Sequence, residues 1–125
     1  MPQPELLSES SKATGVPLDK LLTALNRKLV AYLDRDHQIG HSYLMNLETV
    51  ADLRFAWEHK VMPLLQEYFY GDGEKLQLML GPEFVKHTTI KVGNAHDADE
   101  RVVYTLKTPE PDASFTDALN RLATS

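Results

Sequence analysis

The chain has 125 residues, no cysteine and a formal net charge of -5, from 13 basic and 18 acidic side chains. This length fits one domain with a single hydrophobic core, and the missing cysteines exclude disulfides, thiolate nucleophiles and cysteine-bound metals. The acidic balance argues against direct DNA binding, and no apolar run is long enough to span a membrane, so we expect a cytoplasmic protein.

The N-terminal part of the chain predicts a lead-in followed by a helix. Residues 1–16 are polar and contain several turn-forming residues, which indicates a linker or a disordered segment. Over residues 19–33 the leucines recur at steps of three and four, which predicts an amphipathic helix with one buried stripe. Polar residues and Gly40 interrupt this pattern, so we expect a loop before the next helix.

Three further helices are predicted before the turn at Gly81. Asn46 can cap a helix over about residues 47–59, through its side-chain oxygen. Pro63 suits the first turn of a separate helix that ends near Gly71, because its missing N–H is not needed there. A short helix over residues 74–80 follows. The sequence thus predicts a mainly α fold, with a four-helix bundle over residues 17–81.

The C-terminal third of the chain favours strands and then a helix. Residues 88–92 and 101–106 are short and rich in β-branched side chains, and a polar turn separates them, which predicts a β-hairpin. Asp112 or Ser114 can cap a terminal helix beyond the hairpin. We therefore expect residues 82–125 to extend the bundle with a β-hairpin and a C-terminal helix.

Partial motifs for metal binding and catalysis are rejected on chemical grounds. His37 and His41 have the spacing of a zinc-binding H-E-x-x-H helix, but Gln38 replaces the glutamate that serves as general base. The segment that starts at Asp34 resembles the beginning of a calcium-binding loop, but it lacks the glycine and the bidentate glutamate that such a loop requires. No G-x-x-x-x-G-K-[ST] loop occurs, so we assign no catalytic or metal-binding residue and expect no nucleotide hydrolysis by this chain alone.

Two sequence elements follow one another in the middle of the chain, with a predicted helix between them. They are Ile39-Gly40-His41-Ser42-Tyr43 and Pro63-Leu64-Leu65-Gln66-Glu67-Tyr68-Phe69-Tyr70. Two shorter elements precede them, Leu25-Asn26-Arg27 and Asp34-Arg35-Asp36-His37. Together these elements resemble the C-terminal lid of the McrB family, the GTP-dependent AAA+ motor subunit of modified-cytosine restriction systems.

The resemblance implies a function that depends on other chains or domains. In the parent protein, such a lid closes over GTP or ATP, bound with Mg by a P-loop core of the same or a neighbouring subunit. A homo-oligomeric ring and a McrC-type endonuclease subunit are the further partners, and this chain alone is expected to hold no cofactor. The rival hypothesis is a free-standing helical interaction module without a nucleotide role.

The resemblance also implies candidate nucleotide-sensing residues in the loop after the first helix. Gly40 would let the backbone approach the ligand, His41 or Ser42 would donate a hydrogen bond to it, and Arg35 would supply a cation. In the alternative, these residues form a sharp turn between two helices, with Ser42 as a local cap.

A second candidate group is aromatic and suggests an interface. Three consecutive rings cannot all face one side of a helix, because adjacent positions point about 100° apart. We therefore expect a partner surface around Trp57, Tyr68, Phe69 and Tyr70. The alternative is a helix that is buried on two sides within the bundle.

Overall fold

The computed structural model describes residues 8–34, 36–93 and 99–124. The helices in this part of the chain are α1 (Ser8–Thr14), α2 (Leu18–Tyr32), α3 (Val50–Ala56), α4 (Met62–Tyr68), α5 (Gly73–Leu80) and α6 (Asp112–Thr124). The strands are β1 (Val85–Val92) and β2 (Asp99–Leu106). The prediction of a mainly α fold with a hairpin and a terminal helix is confirmed.

Helix α2 is the centre of the bundle. The apolar stripe predicted for it is buried, with five leucines at 0 to 1% exposure, Leu18, Leu21, Leu22, Leu25 and Leu29. Each such side chain contributes about 1.5–3 kcal/mol through the apolar surface that it removes from water. Helices α1, α5 and α6 all pack against α2. Within the described residues, no helix is long and apolar enough to cross a bilayer.

The prediction of a linker over residues 1–16 is wrong for the part of this segment that the structure describes. Ser8–Thr14 form helix α1, whereas residues 1–7 lie outside the described residues. The hydroxyl of buried Ser10 accepts a hydrogen bond from the backbone N–H of Leu47 at 3.0 Å. A second serine hydroxyl of α1 accepts from the first backbone N–H of α2 at 2.9 Å. The polar residues that suggested a linker therefore attach α1 to the bundle.

Helices α3 and α4 form one continuous helical run, whereas two separate helices were predicted. A π turn, Trp57–Val61, joins them, and the N–H of Met62 donates to the carbonyl of Trp57. Pro63 follows this turn after one intervening residue, Met62. Proline lacks an N–H and its ring crowds the carbonyl four residues earlier, so an α-helix normally breaks there. The wider π turn lets the chain pass the proline and keeps both halves in one helix.

Thr49 caps α3, and the predicted cap Asn46 does not. The Thr49 hydroxyl accepts a hydrogen bond from the N–H of Asp52 at 3.0 Å. The Asp52 carboxylate in turn accepts from the N–H of Glu48 at 3.1 Å, which resembles a capping box. Asn46 lies in the left-handed region with φ 61°, which asparagine tolerates better than most residues.

The hairpin is antiparallel and only its base belongs to the core. Its register places Val85 opposite Leu106 at the base and Val92 opposite Asp99 at the far end. Val85 is buried, whereas residues 86–91 and 100–103 are all exposed. Most of the ribbon therefore projects from the helical bundle into solvent.

Helix α6 completes the same hydrophobic core as helices α2 to α5. Its buried side chains are Phe115, Ala118, Leu119, Leu122 and Ala123. At its N-terminus, Arg54 of α3 donates to the Asp112 carboxylate at 3.0 Å and lies over the Phe115 ring at 4.6 Å. Residues beyond the hairpin thus help to close the bundle that residues 17–81 begin.

Candidate functional site

The loop between α2 and the short 3₁₀ helix, His41–Leu44, is anchored to α2 by one buried amide. The Asn26 side chain donates to the Ile39 carbonyl at 3.0 Å and accepts from the Ile39 N–H at 2.6 Å. Both Asn26 and Ile39 are buried. This pair of hydrogen bonds fixes the backbone immediately before Gly40.

The same loop is attached to α4 through an aromatic side chain. The hydroxyl of Tyr68 donates to the carbonyl of Gln38 at 3.4 Å, and the ring meets the His37 ring edge-on at 4.9 Å. Burial, more than the nearby Tyr43 and Glu67, raises the pKa of the Tyr68 phenol, so this group remains a protonated donor at neutral pH.

An acidic side chain organises the start of the loop. Asp34 accepts from the backbone N–H of Asp36 at 2.9 Å, and its carboxylate lies 2.6 Å from Nδ1 of His37. The hydrogen bond to His37 is the main reason why the pKa of Asp34 lies below its usual value of 3.8. Arg35, one of the predicted sensing residues, lies outside the described residues.

The three other predicted sensing residues come together at the surface. Gly40 has an ordinary extended backbone, φ -74° and ψ 152°, and its carbonyl accepts from the N–H of Tyr43 at 3.2 Å. His41 is half-buried and Ser42 is exposed. Within the described residues, neither side chain has a hydrogen-bond or ion-pair partner, and no side chain caps the 3₁₀ helix. The cap that the turn hypothesis assigned to Ser42 is therefore wrong.

This loop can donate hydrogen bonds but is a poor phosphate site by itself. His41 and Ser42 offer an imidazole and a hydroxyl, while Asp34 and Asp36 add negative charge that repels a phosphate. His37 is already paired with Asp34. Among the described residues, no cluster of three histidine or acidic side chains could hold a metal ion. Within the described residues of the loop, no lysine or arginine is present to bind a phosphate.

Two of the four aromatic residues predicted at an interface are inside the core instead. Trp57 is fully buried and packs against Phe84 at 5.1 Å between ring centroids, and Phe69 is only 4% exposed. Tyr68 is half-buried by the contacts described above, and Tyr70 is 92% exposed. The expectation of exposed rings is therefore wrong for Trp57 and Phe69.

The burial of these rings follows from the continuous helix. Trp57, Val61, Leu65 and Phe69 recur at steps of four and are all buried. In a helix, this spacing places side chains along one face. The prediction of a helix break before Pro63 concealed this pattern, which was otherwise readable in the sequence.

Asn26 is the site residue whose role the sequence analysis missed. Its position was informative, because it lies four residues after Leu22 and three before Leu29, on the buried stripe of α2. A polar side chain on such a stripe needs a hydrogen-bond partner, since its burial is otherwise unfavourable.

The comparison with known families concerns the helical part of the chain. Residues 17–77, slightly less than half of the chain, match the family model described as McrB, alpha-helical lid domain. This match includes α2, the loop, α3, α4 and the first part of α5. The resemblance inferred from the sequence is thereby confirmed. No curated protein matches the chain significantly.

Proposed function

We propose that residues 17–77, a McrB-like helical lid, close over GTP or ATP that a separate P-loop core binds with Mg. The loop Gly40-His41-Ser42 contacts the nucleotide in the closed state. His41 and Ser42 donate hydrogen bonds to it, and Arg35 together with the core supplies the cations. The lid contributes no catalytic residue and acts by sensing the bound ligand.

The observation that supports this proposal most directly is the unused hydrogen-bonding capacity of a rigidly held loop. Asn26 and Tyr68 hydrogen-bond to the backbone of Ile39 and Gln38, respectively, and so fix it in place. The next side chains, His41 and Ser42, have no partner within the described residues. A preorganised loop that presents uncommitted donors loses little conformational entropy when a ligand binds.

The proposal extends to assembly. In a ring, Tyr70 on the surface of the lid contacts the core of a neighbouring subunit, so that nucleotide-dependent lid closure is transmitted around the ring. An exposed tyrosine suits such a contact, because it combines a large apolar ring with a hydroxyl. The ring drives a McrC-type endonuclease subunit in DNA restriction, and other domains read the DNA.

Phosphate release by a McrB-type P-loop core without its lid, mixed with this chain, tests the nucleotide role. We expect the chain to raise GTP or ATP turnover and His41→Ala to lower the stimulated rate about tenfold. His59→Ala is the matched control, because His59 is an exposed histidine of the same domain outside the loop. We expect the free energy of unfolding of both variants to lie within about 0.5 kcal/mol of that of the original chain.

Two results contradict the sensing role. One is equal stimulation by the His41→Ala chain and the original chain. The other is a loss of about 1 kcal/mol in folding stability for His41→Ala with unchanged turnover per folded molecule, as expected for a residue that only stabilises a turn.

A free-standing interaction module is the second candidate, and helix α6 favours it. Phe115 and Leu119 come from outside the matched segment and fill the core beside α2. The bundle therefore closes without a P-loop core. This alternative predicts that the chain neither binds a nucleotide-loaded P-loop core nor changes its turnover, and the same assay separates the two functions.

A further inference from the structure

A cleft runs along strand β2, between this strand and the helical run α3–α4. One part, of about 390 Å³, is lined by Glu58 and Gln66 of the helical run and by the consecutive residues 104–108. The adjoining part, of about 670 Å³, is lined by Gln66, Phe69, Tyr70, Leu76, Val102 and Tyr104, among others. Gln66, Tyr104 and Leu106 line both parts, so the cleft follows β2 towards the exposed end of the hairpin.

The backbone of β2 presents unpaired hydrogen-bonding groups along one edge. The N–H of Lys107 donates to the carbonyl of Phe84 at 2.8 Å, so these residues form a hydrogen-bonded pair. Such pairs alternate along an antiparallel ladder, and the N–H and C=O groups of Val102, Tyr104 and Leu106 therefore point away from β1. Within the described residues, these groups have no hydrogen-bond partner.

The corresponding edge of β1 is already partly occupied by α5. The side-chain amide of Gln77 donates to the outward carbonyl of Val85 at 3.0 Å and also lies 2.8 Å from Nδ1 of His87. An unpaired strand edge tends to pair with another extended chain. Of the two edges of the hairpin, that of β2 is the one that faces the cleft.

The side chains of the cleft indicate which sequence suits it. Tyr70 and Val102 are 92% and 52% exposed and provide apolar surface at the larger part of the cleft. Glu67 lines the same part and has no ion-pair partner within the described residues. Glu58 lines the smaller part and has only a 3.8 Å contact with Arg54, whereas Lys107 is the one basic residue there.

We propose that this cleft binds an extended segment of a partner protein, in which apolar and basic side chains alternate, by adding it as a third strand to β2. Main-chain hydrogen bonds to the edge of β2 hold the segment, its apolar side chains contact Tyr70 and Val102, and its basic side chains approach Glu67 and Glu58. The proposal is independent of the sensing role of His41 and Ser42, but a segment bound at Tyr70 would compete with the ring contact proposed for the same side chain.

A second copy of this chain suits the cleft less well than a peptide segment. The two parts of the cleft have the volumes of ligand pockets, and helices line them opposite the strand. A stable protein dimer buries about 800 Å² on each partner. Because helical residues wall the cleft opposite the strand, we infer that one extended chain suits it better than a second hairpin with its own helices attached.

Titration of the full chain with a capped heptapeptide of alternating lysine and valine tests the proposal. We expect saturable binding, with backbone amide NMR shifts concentrated in residues 66–73 and 100–108. The same peptide with glutamate in place of lysine should bind about tenfold more weakly, because the carboxylates of the cleft repel it.

Methylated peptides test the main-chain hydrogen bonds. In an extended peptide, the N–H groups of alternate residues point to the same side. We therefore expect methylation of one of the two sets of nitrogens, that of the valines or that of the lysines, to abolish binding. Methylation of the other set should leave binding intact. Equal binding of all the methylated peptides contradicts strand addition.

Two adjacent valines of β2 provide a matched pair of variants. Val102 lines the cleft, whereas its neighbour Val103, 41% exposed, points to the opposite face of the hairpin. We expect Val102→Thr, which removes an apolar contact without adding charge, to weaken binding of the lysine–valine peptide about threefold or more and Val103→Thr to change it less than about twofold. Circular dichroism of both variants establishes that they remain folded.

Three further outcomes overturn the proposal. The first is no detectable binding of the lysine–valine peptide. The second is an equal loss of binding in the Val102→Thr and Val103→Thr variants. The third is concentration-dependent dimerisation of the chain alone that Val102→Lys abolishes, which assigns the strand edge to a second copy instead.

Discussion

At the scale of single residues, Asn26 has the clearest structural consequence. Its amide satisfies both backbone groups of Ile39 in the core, and it sets the position of the loop that follows. We expect Asn26→Ala to lower the free energy of unfolding by about 1–3 kcal/mol, because two buried backbone groups lose their partner. Urea unfolding measures this value. Asn120→Ala is the control, and an equal loss in both variants contradicts the assigned role.

Asp34 gives a prediction about pH. The hydrogen bond to His37 lowers the pKa of Asp34 in the folded state, so folded Asp34 binds a proton less readily than unfolded Asp34. Its stabilising contribution is therefore present above the usual pKa of 3.8 and is lost as the pH falls through the lower, folded value.

Unfolding of the original chain and of Asp34→Asn between pH 2.5 and pH 6 measures this contribution. We expect the original chain to be the more stable of the two at the upper end of this range, by a small margin, because Asp34 is exposed. The difference should vanish at the lower end. A difference that is constant over the whole range contradicts the pair of Asp34 and His37.

At the scale of elements, the contact between α5 and β2 depends on a glycine. A Cβ added to Gly73 would lie 2.4 to 2.6 Å from side-chain carbons of Tyr104, which is too close without displacement of the hairpin. We expect Gly73→Ala to lower the free energy of unfolding by about 1–3 kcal/mol and to shift the NMR signals of β2.

Gly40→Ala is the matched control for this contact. A Cβ at Gly40 meets only the Ser42 hydroxyl, at 3.8 Å, and the backbone there is ordinary. We expect its free energy of unfolding to change by less than about 0.5 kcal/mol. In the background of Tyr104→Ala, the cost of Gly73→Ala should largely disappear. An unchanged cost in that background means that the strain arises elsewhere.

The helices and strands show which features local sequence patterns determine. The leucine spacing of α2 and the β-branched runs of the hairpin were predicted correctly, because each pattern reflects side chains that face one core. The continuous passage through Pro63 was not predictable from local rules, since it depends on a π turn. The choice of Thr49 over Asn46 as a cap depended on hydrogen bonds with Asp52.

The candidate site was predictable only in part. The sequence elements identified Gly40, His41 and Ser42, and the structure places them together on one surface turn. The side chains that anchor this turn are Asn26 and Tyr68. They contact residues that lie 13 and 30 positions away from them in the sequence, respectively. Such contacts follow from the packing of helices, and no local pattern specifies them.

At the scale of the whole molecule, α6 and the lid helices share one core, so they should unfold together. Leu119 of α6 is fully buried, and the single tryptophan, Trp57, reports on the lid. We expect Leu119→Ala to cost about 2–5 kcal/mol and to lower the midpoints measured by Trp57 fluorescence and by circular dichroism equally. Leu78→Ala, at an exposed leucine of α5, is the control. An unchanged fluorescence midpoint means that α6 folds independently.

If a McrB-like lid senses nucleotide on a separate P-loop core, its affinity for that core must depend on the bound nucleotide. The most direct test is the affinity of the full chain for a lidless McrB-type core in three states: without nucleotide, with GDP and with a non-hydrolysable GTP analogue. If the lid contacts the bound nucleotide favourably, thermodynamic linkage requires that it bind the nucleotide-loaded core more tightly than the empty core. We predict at least about tenfold tighter binding with the GTP analogue than without nucleotide, and a smaller difference for His41→Ala. The same affinity in all three states, or no binding in any of them, contradicts the account.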